Sequence, residues 1–501
     1  MNKVKKSSQQ RKEYSRRSFL RKAGGAAVIS PWIMRFPNSI SKANKKRNII
    51  FVFIDDMRYD AMSYRGHPVL QTPNIDRLAK NGILFKNAFV TTSLCSPSRA
   101  SILSGLYAHK HGVLDNRTML PEGTPTFPVE LQKSGYKTAF VGKWHMGGTS
   151  DQPRPGFDRW VSFRGQGPYF NPLFNVDGKH VKREGYTPDL TTEYSVDFIK
   201  ENKDRPFLLY MSHKAVHGMF EPAPRHKNKY QNIVVPKPKS MANTEENYKG
   251  KPDWVRKQRN SWHGVDGMYN RAINFDKFYR DYCECMLGVD DSVGILLDTL
   301  EKEGLLEDTL IMFMGDNGFQ FGEHGLIDKR TMYESSIRVP LIAHCPALAD
   351  GAQFKEELVL NIDIAPTIIE TAQVPVPPSV QGRSFLSLIK GSPTEWRKEF
   401  LYEYFWERDY PQTPTVLGLR TEKYSYMRYH GVWDLNELYD IENDPDQMNN
   451  LMADVRITTQ GGQLNRYIKD PQLKKLVAEL EEKLFKIIRE TGGIIEPSWE
   501  I

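Results

Sequence analysis

Asn48-Ile49-Ile50-Phe51-Val52-Phe53-Ile54-Asp55-Asp56 is the stretch that decides the fold class. Its first seven residues form a short apolar run rich in β-formers. Such a run without alternation reads as a strand buried on both faces, as in a parallel sheet. It stops at two adjacent carboxylates. The pattern recurs three times. Tyr136 to Gly142 ends in Lys143-Trp144-His145, Pro206 to Ser212 is followed by His213 to His217, and Thr309 to Met314 ends in Gly315-Asp316-Asn317-Gly318. Active sites of open α/β sheets form at the carboxyl ends of strands. Four apolar strands that each end in polar, chemically capable residues therefore predict one shared site.

Helical segments separate these strands. Thr72-Pro73-Asn74 leads into Ile75 to Asn81, with Gly82 as a stop. Asp281 to Glu303 has helical periodicity and ends at Gly304, and Asp363 to Gln373 ends before Pro375-Val376-Pro377-Pro378. Residues 220–275 are rich in Lys, Arg, Asn, Pro and Trp with little periodicity, and read as a long surface insertion near the site. Beyond Gly382 the character changes. Leu417 to Tyr429 alternates like an antiparallel strand pair, and Asp470 to Arg489 reads as a closing amphipathic helix. The chain of 501 residues is long enough for a large domain and a smaller one. We expect a catalytic domain over 44–382 and a C-terminal subdomain over 383–501.

The formal charge of +8 has a location. Residues 1–50 hold fourteen Lys or Arg and one Glu, which leaves the rest of the chain with 55 basic and 60 acidic residues. The body is mildly acidic, which argues against a nucleic-acid partner. Ser15-Arg16-Arg17-Ser18-Phe19-Leu20 resembles a bacterial twin-arginine export motif, and the apolar stretch from Ala23 to Met34 is short for a spanning helix. Residues 1–43 thus read as an export signal for the twin-arginine machinery, with the mature chain periplasmic or secreted and without a transmembrane segment. Four cysteines give no clear disulfide framework, and Cys283 and Cys285 read as free thiols buried in a helix.

Asp55-Asp56 and Asp316-Asn317 are hard oxygen donors without clustered His or Cys, which suits Ca²⁺ or Mg²⁺ better than Zn²⁺. A second signal is Cys95-Ser96-Pro97-Ser98-Arg99-Ala100-Ser101-Ile102-Leu103-Ser104-Gly105. It resembles the signature of the type I sulfatases, where the cysteine is oxidised to formylglycine (3-oxoalanine) by a formylglycine-generating enzyme. Gly142-Lys143-Trp144-His145 and the Lys329 to Pro340 region resemble the same family.

The resemblance implies an alkaline-phosphatase-like α/β sandwich with a mixed, mostly parallel sheet and a smaller antiparallel C-terminal sheet. It implies one Ca²⁺ at Asp55, Asp56, Asp316 and Asn317, with residue 95 as a further ligand. The hydrated aldehyde at residue 95 would attack sulfur and later expel sulfate. Arg99 would orient that group, and Lys143 and Lys329 would bind sulfate. His145 would take the diol proton, and His217 would protonate the leaving oxygen, with His213 as its competitor. The implied substrate is a sulfated carbohydrate such as ulvan or a glycosaminoglycan. A phosphonate or phosphodiester hydrolase and a non-catalytic glycan-binding protein are the rival readings. His109 and His111 read as packing residues and His324 as loop support. Trp262-His263 and Phe405-Trp406-Glu407-Arg408 fit either sugar contact or a subdomain seam.

Overall fold

The computed structural model describes residues 46–147, 150–349, 351–392, 395–430, 434–460 and 463–494. The expected export signal, 1–43, lies outside them. A ten-stranded sheet forms the centre. Its order is Gln353–Leu360, Ile83–Phe89, Leu341–His344, Thr309–Gly315, Asn48–Ile54, Phe207–Ser212, Lys137–Lys143, Arg159–Phe163, Leu173–Val176 and Lys179–Lys182. Asn48–Ile54 pairs in parallel with both neighbours, and Lys137–Lys143 does the same. Leu341–His344 runs antiparallel to both of its neighbours, so the sheet is mixed but mostly parallel. The four strands expected from the sequence are the four central ones bordering Asn48–Ile54 or lying one strand beyond it.

The unbroken apolar run of the first strand reflects its two buried faces. Ile49, Phe51 and Phe53 enter one hydrophobic cluster, while Ile50, Val52 and Ile54 enter the other. The second cluster is covered by the helices Thr187–Glu201 and Phe275–Lys302. The first extends into a four-stranded antiparallel sheet, Glu399–Tyr404, Thr415–Thr421, Tyr424–His430 and Glu437–Asp440. Phe400, Tyr402 and Tyr426 belong to that same cluster. Pro471–Thr491 closes the chain, with Asp470 capping its N-terminus through Gln472 N at 2.8 Å.

One boundary and one burial pattern differ from expectation. The long helix starts at Phe275 rather than Asp281, because Asn274 caps it through Lys277 N at 3.0 Å. Residues 220–275 are only partly a surface feature. Tyr230, Val235, Trp254, Val255 and Met268 are buried in the two clusters, and short helices span Glu245–Tyr248 and Asp253–Gln258. Their burial lacks a fixed period, so pattern alone could not show it. No helix among the described residues is long and apolar enough to cross a membrane.

Candidate active site

The helix Cys95–Ser104 begins at the cysteine itself and ends where Gly105 takes a left-handed conformation (φ 71°). Pro97 sits in the first turn, where a missing N–H costs nothing. The helix aims its N-terminus, and Cys95, at the ends of the central strands. Cys95 Sγ lies 3.7 Å from Asp55 Oδ1. Gly142 makes the neighbouring approach possible: its φ is 117°, and a Cβ there would stand 1.9 Å from Ser212 O. The strand ends can therefore close together, and Lys143 Nζ reaches Asp55 Oδ2 in a fully buried ion pair.

Three carboxylates meet beneath the cysteine. Asp56 N donates to Asp316 Oδ1 at 2.9 Å. Arg99 Nε and Nη2 donate to Asp316 Oδ2 at 3.1 and 2.9 Å, and Nη1 donates to Lys143 O and Ser212 Oγ, both at 2.8 Å. The guanidinium is thus a clamp under the site, tying helix to strand ends, rather than a group facing solvent. Lys329 Nζ donates to both oxygens of Asp56. Burial pushes Asp316 up to about 8, with Asp55 adding repulsion. Burial also lifts Asp56 to about 6, against Lys329. Asp55 is held well below the carboxylate range despite burial, because Lys143 and Arg99 flank it. Burial raises the Cys95 thiol strongly. A thiol so resistant to ionisation is a poor nucleophile.

The histidines separate by position. His217 Nδ1 donates to Gly218 O at 2.5 Å, which leaves Nε2 free, 3.8 Å from Asp56 Oδ2. Burial and then the charges of Lys143 and Lys329 hold its pKa well down. His213 is fully buried, neither ring nitrogen is hydrogen-bonded among the described residues, and the charge acting on it is Asp189, outside the site. His145 has a left-handed backbone (φ 51°), accepts Ser96 Oγ at its carbonyl, and lies 3.1 Å from Gln166 Nε2 through ring Nε2. A non-glycine residue in this conformation is a strain that functional sites often hold.

Cys95, Arg99, Lys143, His145, His217, Lys329, Asp55, Asp56, Asp316 and Asn317 therefore share one centre, assembled from strand ends up to 273 residues apart. His109, His111 and His324 lie elsewhere: His109 bonds Glu403 at 2.8 Å, His111 bonds Ser101 at 3.0 Å, and His324 packs on Tyr333. Sequence reasoning missed Ser212, Gln166, Tyr169, which donates to His217 O at 2.8 Å, and Lys214. Each is a single polar residue with no spacing signature, though Ser212 and Lys214 lie at the end of a strand already singled out. A cavity of about 500 Å³ is lined in part by Phe170, Phe220 and Glu221.

The donors fit a hard divalent cation. Ligand atoms of Asp55, Cys95 and Asp316 all lie within 4.8 Å of one another. Among the described residues, nothing donates to the buried Asn317 Oδ1, although its Nδ2 donates to Asp56 Oδ1 at 2.7 Å. An orphaned amide oxygen beside carboxylates that repel one another is the arrangement a Ca²⁺-type ion relieves.

Comparison with known proteins agrees with this geometry. Residues 47–374 match the sulfatase family, and residues 322–474 match the N-sulphoglucosamine sulphohydrolase C-terminal family. The N-acetylglucosamine-6-O-sulfatase of Bacteroides thetaiotaomicron is 33% identical, over 90% of this chain and 91% of its own. The ulvan-active sulfatase of Formosa agariphila is 28% identical, over 87% and 82%. A solved structure in complex with its substrate, D-glucosamine-2-N,6-O-disulfate, superposes with a TM-score of 0.79 at 31% identity, covering 89% of this chain and 98% of the other. With these matches spanning the strand ends that build the centre, the chain belongs to the sulfatase family and is a sulfuric ester hydrolase.

Proposed function

We propose that this protein removes sulfate from a sulfated carbohydrate, with a 6-O-sulfated glucosamine unit as the favoured substrate and ulvan-type sugars as the alternative. The observation that carries the reading is the position of Cys95. It opens a helix N-terminus, lies 3.7 Å from Asp55, and is ringed by Lys143 and Lys329. A helix N-terminus and two ammonium groups favour a tetrahedral oxyanion there. The relatives that act on sulfated glucosamine support the choice of sugar.

As formylglycine, residue 95 supplies a geminal diol in place of the inert thiol, and a Ca²⁺ ion held by Asp55, Asp56, Asp316 and Asn317 supplies positive charge beside it. The rest of the chemistry belongs to the chain. Lys143 and Lys329 neutralise sulfate oxygens, which is electrostatic preorganisation. The free Nε2 of His217 carries the proton for the departing sugar oxygen, a poor leaving group that needs an acid. An arriving sulfate counters the lysine charges that depress this histidine. His145 accepts a proton from residue 95 at its ring, and Arg99 fixes the carboxylates. A formylglycine-generating enzyme is the implied maturation partner. The twin-arginine leader favours export to the periplasm or beyond, and we assign residues 383–501 as the C-terminal subdomain.

Hydrolysis of N-acetylglucosamine 6-O-sulfate and of a sulfated ulvan oligosaccharide, read as sulfate release, against hydrolysis of a phosphodiester and a phosphonate monoester, read as alcohol release, tests this. The reading expects turnover of the glucosamine sulfate above the phosphorus esters. Preference for a phosphorus ester, or binding without release, contradicts it.

A further inference from the structure

Lys214 is a buried cation, 5% exposed, in the segment that follows the strand Phe207–Ser212. That segment is stitched to the catalytic strand: Asp55 N donates to Ala215 O at 3.1 Å, and Val216 N donates to Asp55 O at 2.8 Å. His217 N donates to Lys214 O at 3.0 Å, so the lysine and the proposed acid sit on one tight turn. Yet the Lys214 ammonium has no hydrogen bond and no ion pair among the described residues. Its Nζ stands over the Tyr169 ring, 4.3 Å from the centroid, and Tyr169 in turn donates to His217 O at 2.8 Å. Burial, then the like charge of Lys143, lowers its pKa to about 8, and Asp55, Cys285 and Glu221 act in the opposite direction.

A largely buried lysine whose ammonium meets an aromatic face and no paired carboxylate is costly unless a ligand completes it. The other cations of the centre already have carboxylates: Lys143 has Asp55, Lys329 has Asp56, and Arg99 has Asp316. Glu221, whose charge acts on Lys214, lines the cavity of about 500 Å³ that also has Lys227, Arg280, Asp281 and Glu284 on its wall. Neither of those two cations has a side-chain hydrogen bond or ion pair among the described residues.

We propose that Lys214 recognises a second anionic group of the substrate, distinct from the ester being cleaved: a further sulfate on the same sugar, or the carboxylate of an adjoining uronate. This rests on the sulfatase reading above and deepens it into a selectivity for multiply charged sugars. The ammonium gains a charge-assisted partner when such a substrate binds, and stays unpaired with a singly sulfated one.

The test compares N-acetylglucosamine 6-O-sulfate with glucosamine 2-N,6-O-disulfate, and with N-acetylglucosamine 6-O-sulfate joined to a uronate. Lys214→Met keeps the apolar stem against Tyr169 and removes the charge, and Lys214→Arg restores the charge. We expect wild type to favour at least one doubly charged sugar in kcat/KM. Lys214→Met should lower that preference at least tenfold, mainly through KM, and Lys214→Arg should recover most of it. The responding sugar identifies sulfate or carboxylate as the partner. A preference ratio unchanged within twofold in Lys214→Met, whether both substrates lose activity or neither does, overturns the proposal. Equilibrium binding of the same sugars to Cys95→Ala protein, with and without Lys214→Met, reads the contrast without turnover. Absence of hydrolysis by wild type would therefore defeat the sulfatase mechanism and leave the binding ratio to decide Lys214.

Discussion

Lys329 Nζ lies 2.6 and 2.7 Å from the two carboxylate oxygens of Asp56, so one ammonium grips both oxygens of a fully buried acid. Lys329 stands on a turn in which Asp328 and Arg330 on either side both have left-handed backbones (φ 81° each). Ion pairs from Asp328 to Arg330 and from Arg330 to Glu407 accompany that conformation. The lysine is thus held in place from both sides, and its partner is a residue that burial raises to about 6.

Lys329→Met should leave Asp56 buried with Asn317 Nδ2 as its remaining side-chain hydrogen-bond donor among the described residues. Breaking a buried pair by removing one partner costs about 3–5 kcal/mol. Urea unfolding in the presence of chelator should show a loss of that order, and added Ca²⁺ should reduce it. Unchanged stability in chelator would show that the pair does not neutralise Asp56.

Divalent cation should stabilise the wild-type protein and support its activity. Asp55 and Asp316 converge beside the orphaned Asn317 Oδ1, Asp56 accepts from Asn317 Nδ2 at 2.7 Å, and a cation is the simplest relief. At a hundredfold excess over Kd, binding to the folded state alone adds about 2.7 kcal/mol. A thermal scan with Ca²⁺ after chelation should show a rise in Tm that Asn317→Ala diminishes. No rise with either Ca²⁺ or Mg²⁺ would remove the metal from the account.

Much of this centre was legible because its parts sit at the ends of unmistakable strands. Asp55-Asp56, Lys143 and Asp316-Asn317 each follow a run whose apolar character reflects burial on both faces, and Cys95 lies in a run specific enough to stand alone. What was hidden is pairing across long separations. That Arg99 bonds Asp316, 217 residues away, depends on how the helix Cys95–Ser104 is laid against the sheet. The antiparallel strand Leu341–His344 was hidden too, since four buried residues have no direction in sequence. Trp254 and Val255 are core residues within a polar, aperiodic stretch, where burial comes from tertiary packing rather than from a repeat. Asn274 was a readable cap signal for the long helix and was passed over because the aromatic and charged residues after it obscure the period.

His217 and His213 should behave differently toward the leaving group. His217→Gln removes the free Nε2 near Asp56, and general acid catalysis contributes about 10²–10⁴-fold. The loss should approach that range for a sugar sulfate and shrink for an aryl sulfate, whose oxygen leaves without a proton. His213→Gln should change stability and leave the ratio of the two rates alone. Equal loss on both substrates for His217→Gln would transfer the acid role elsewhere.

His109 offers a pH test away from the catalytic centre. Its Nδ1 faces Glu403 at 2.8 Å and its Nε2 faces Thr491 O at 3.1 Å, so both nitrogens meet acceptors and the cation is favoured. Although burial opposes the charge, the Glu403 bond raises the pKa above its ordinary value. A raised histidine contributes fully below the unfolded pKa of about 6.5 and loses that contribution as pH rises through the folded value. His109→Gln should therefore cost more at mildly acidic pH than at alkaline pH. Denaturant curves at both conditions check the sign, and a cost that grows with pH would contradict it.

The central claim is that residue 95 works as an aldehyde hydrate and not as a thiol. The most direct measurement pairs peptide mass at Cys95 with sulfate release from N-acetylglucosamine 6-O-sulfate, across preparations made with and without a maturing enzyme. Turnover should scale with the fraction of residue 95 whose thiol has been replaced by an aldehyde oxygen, and vanish in Cys95→Ala protein that remains folded. Full turnover by protein whose residue 95 is entirely thiol, or by Cys95→Ala, would contradict the account.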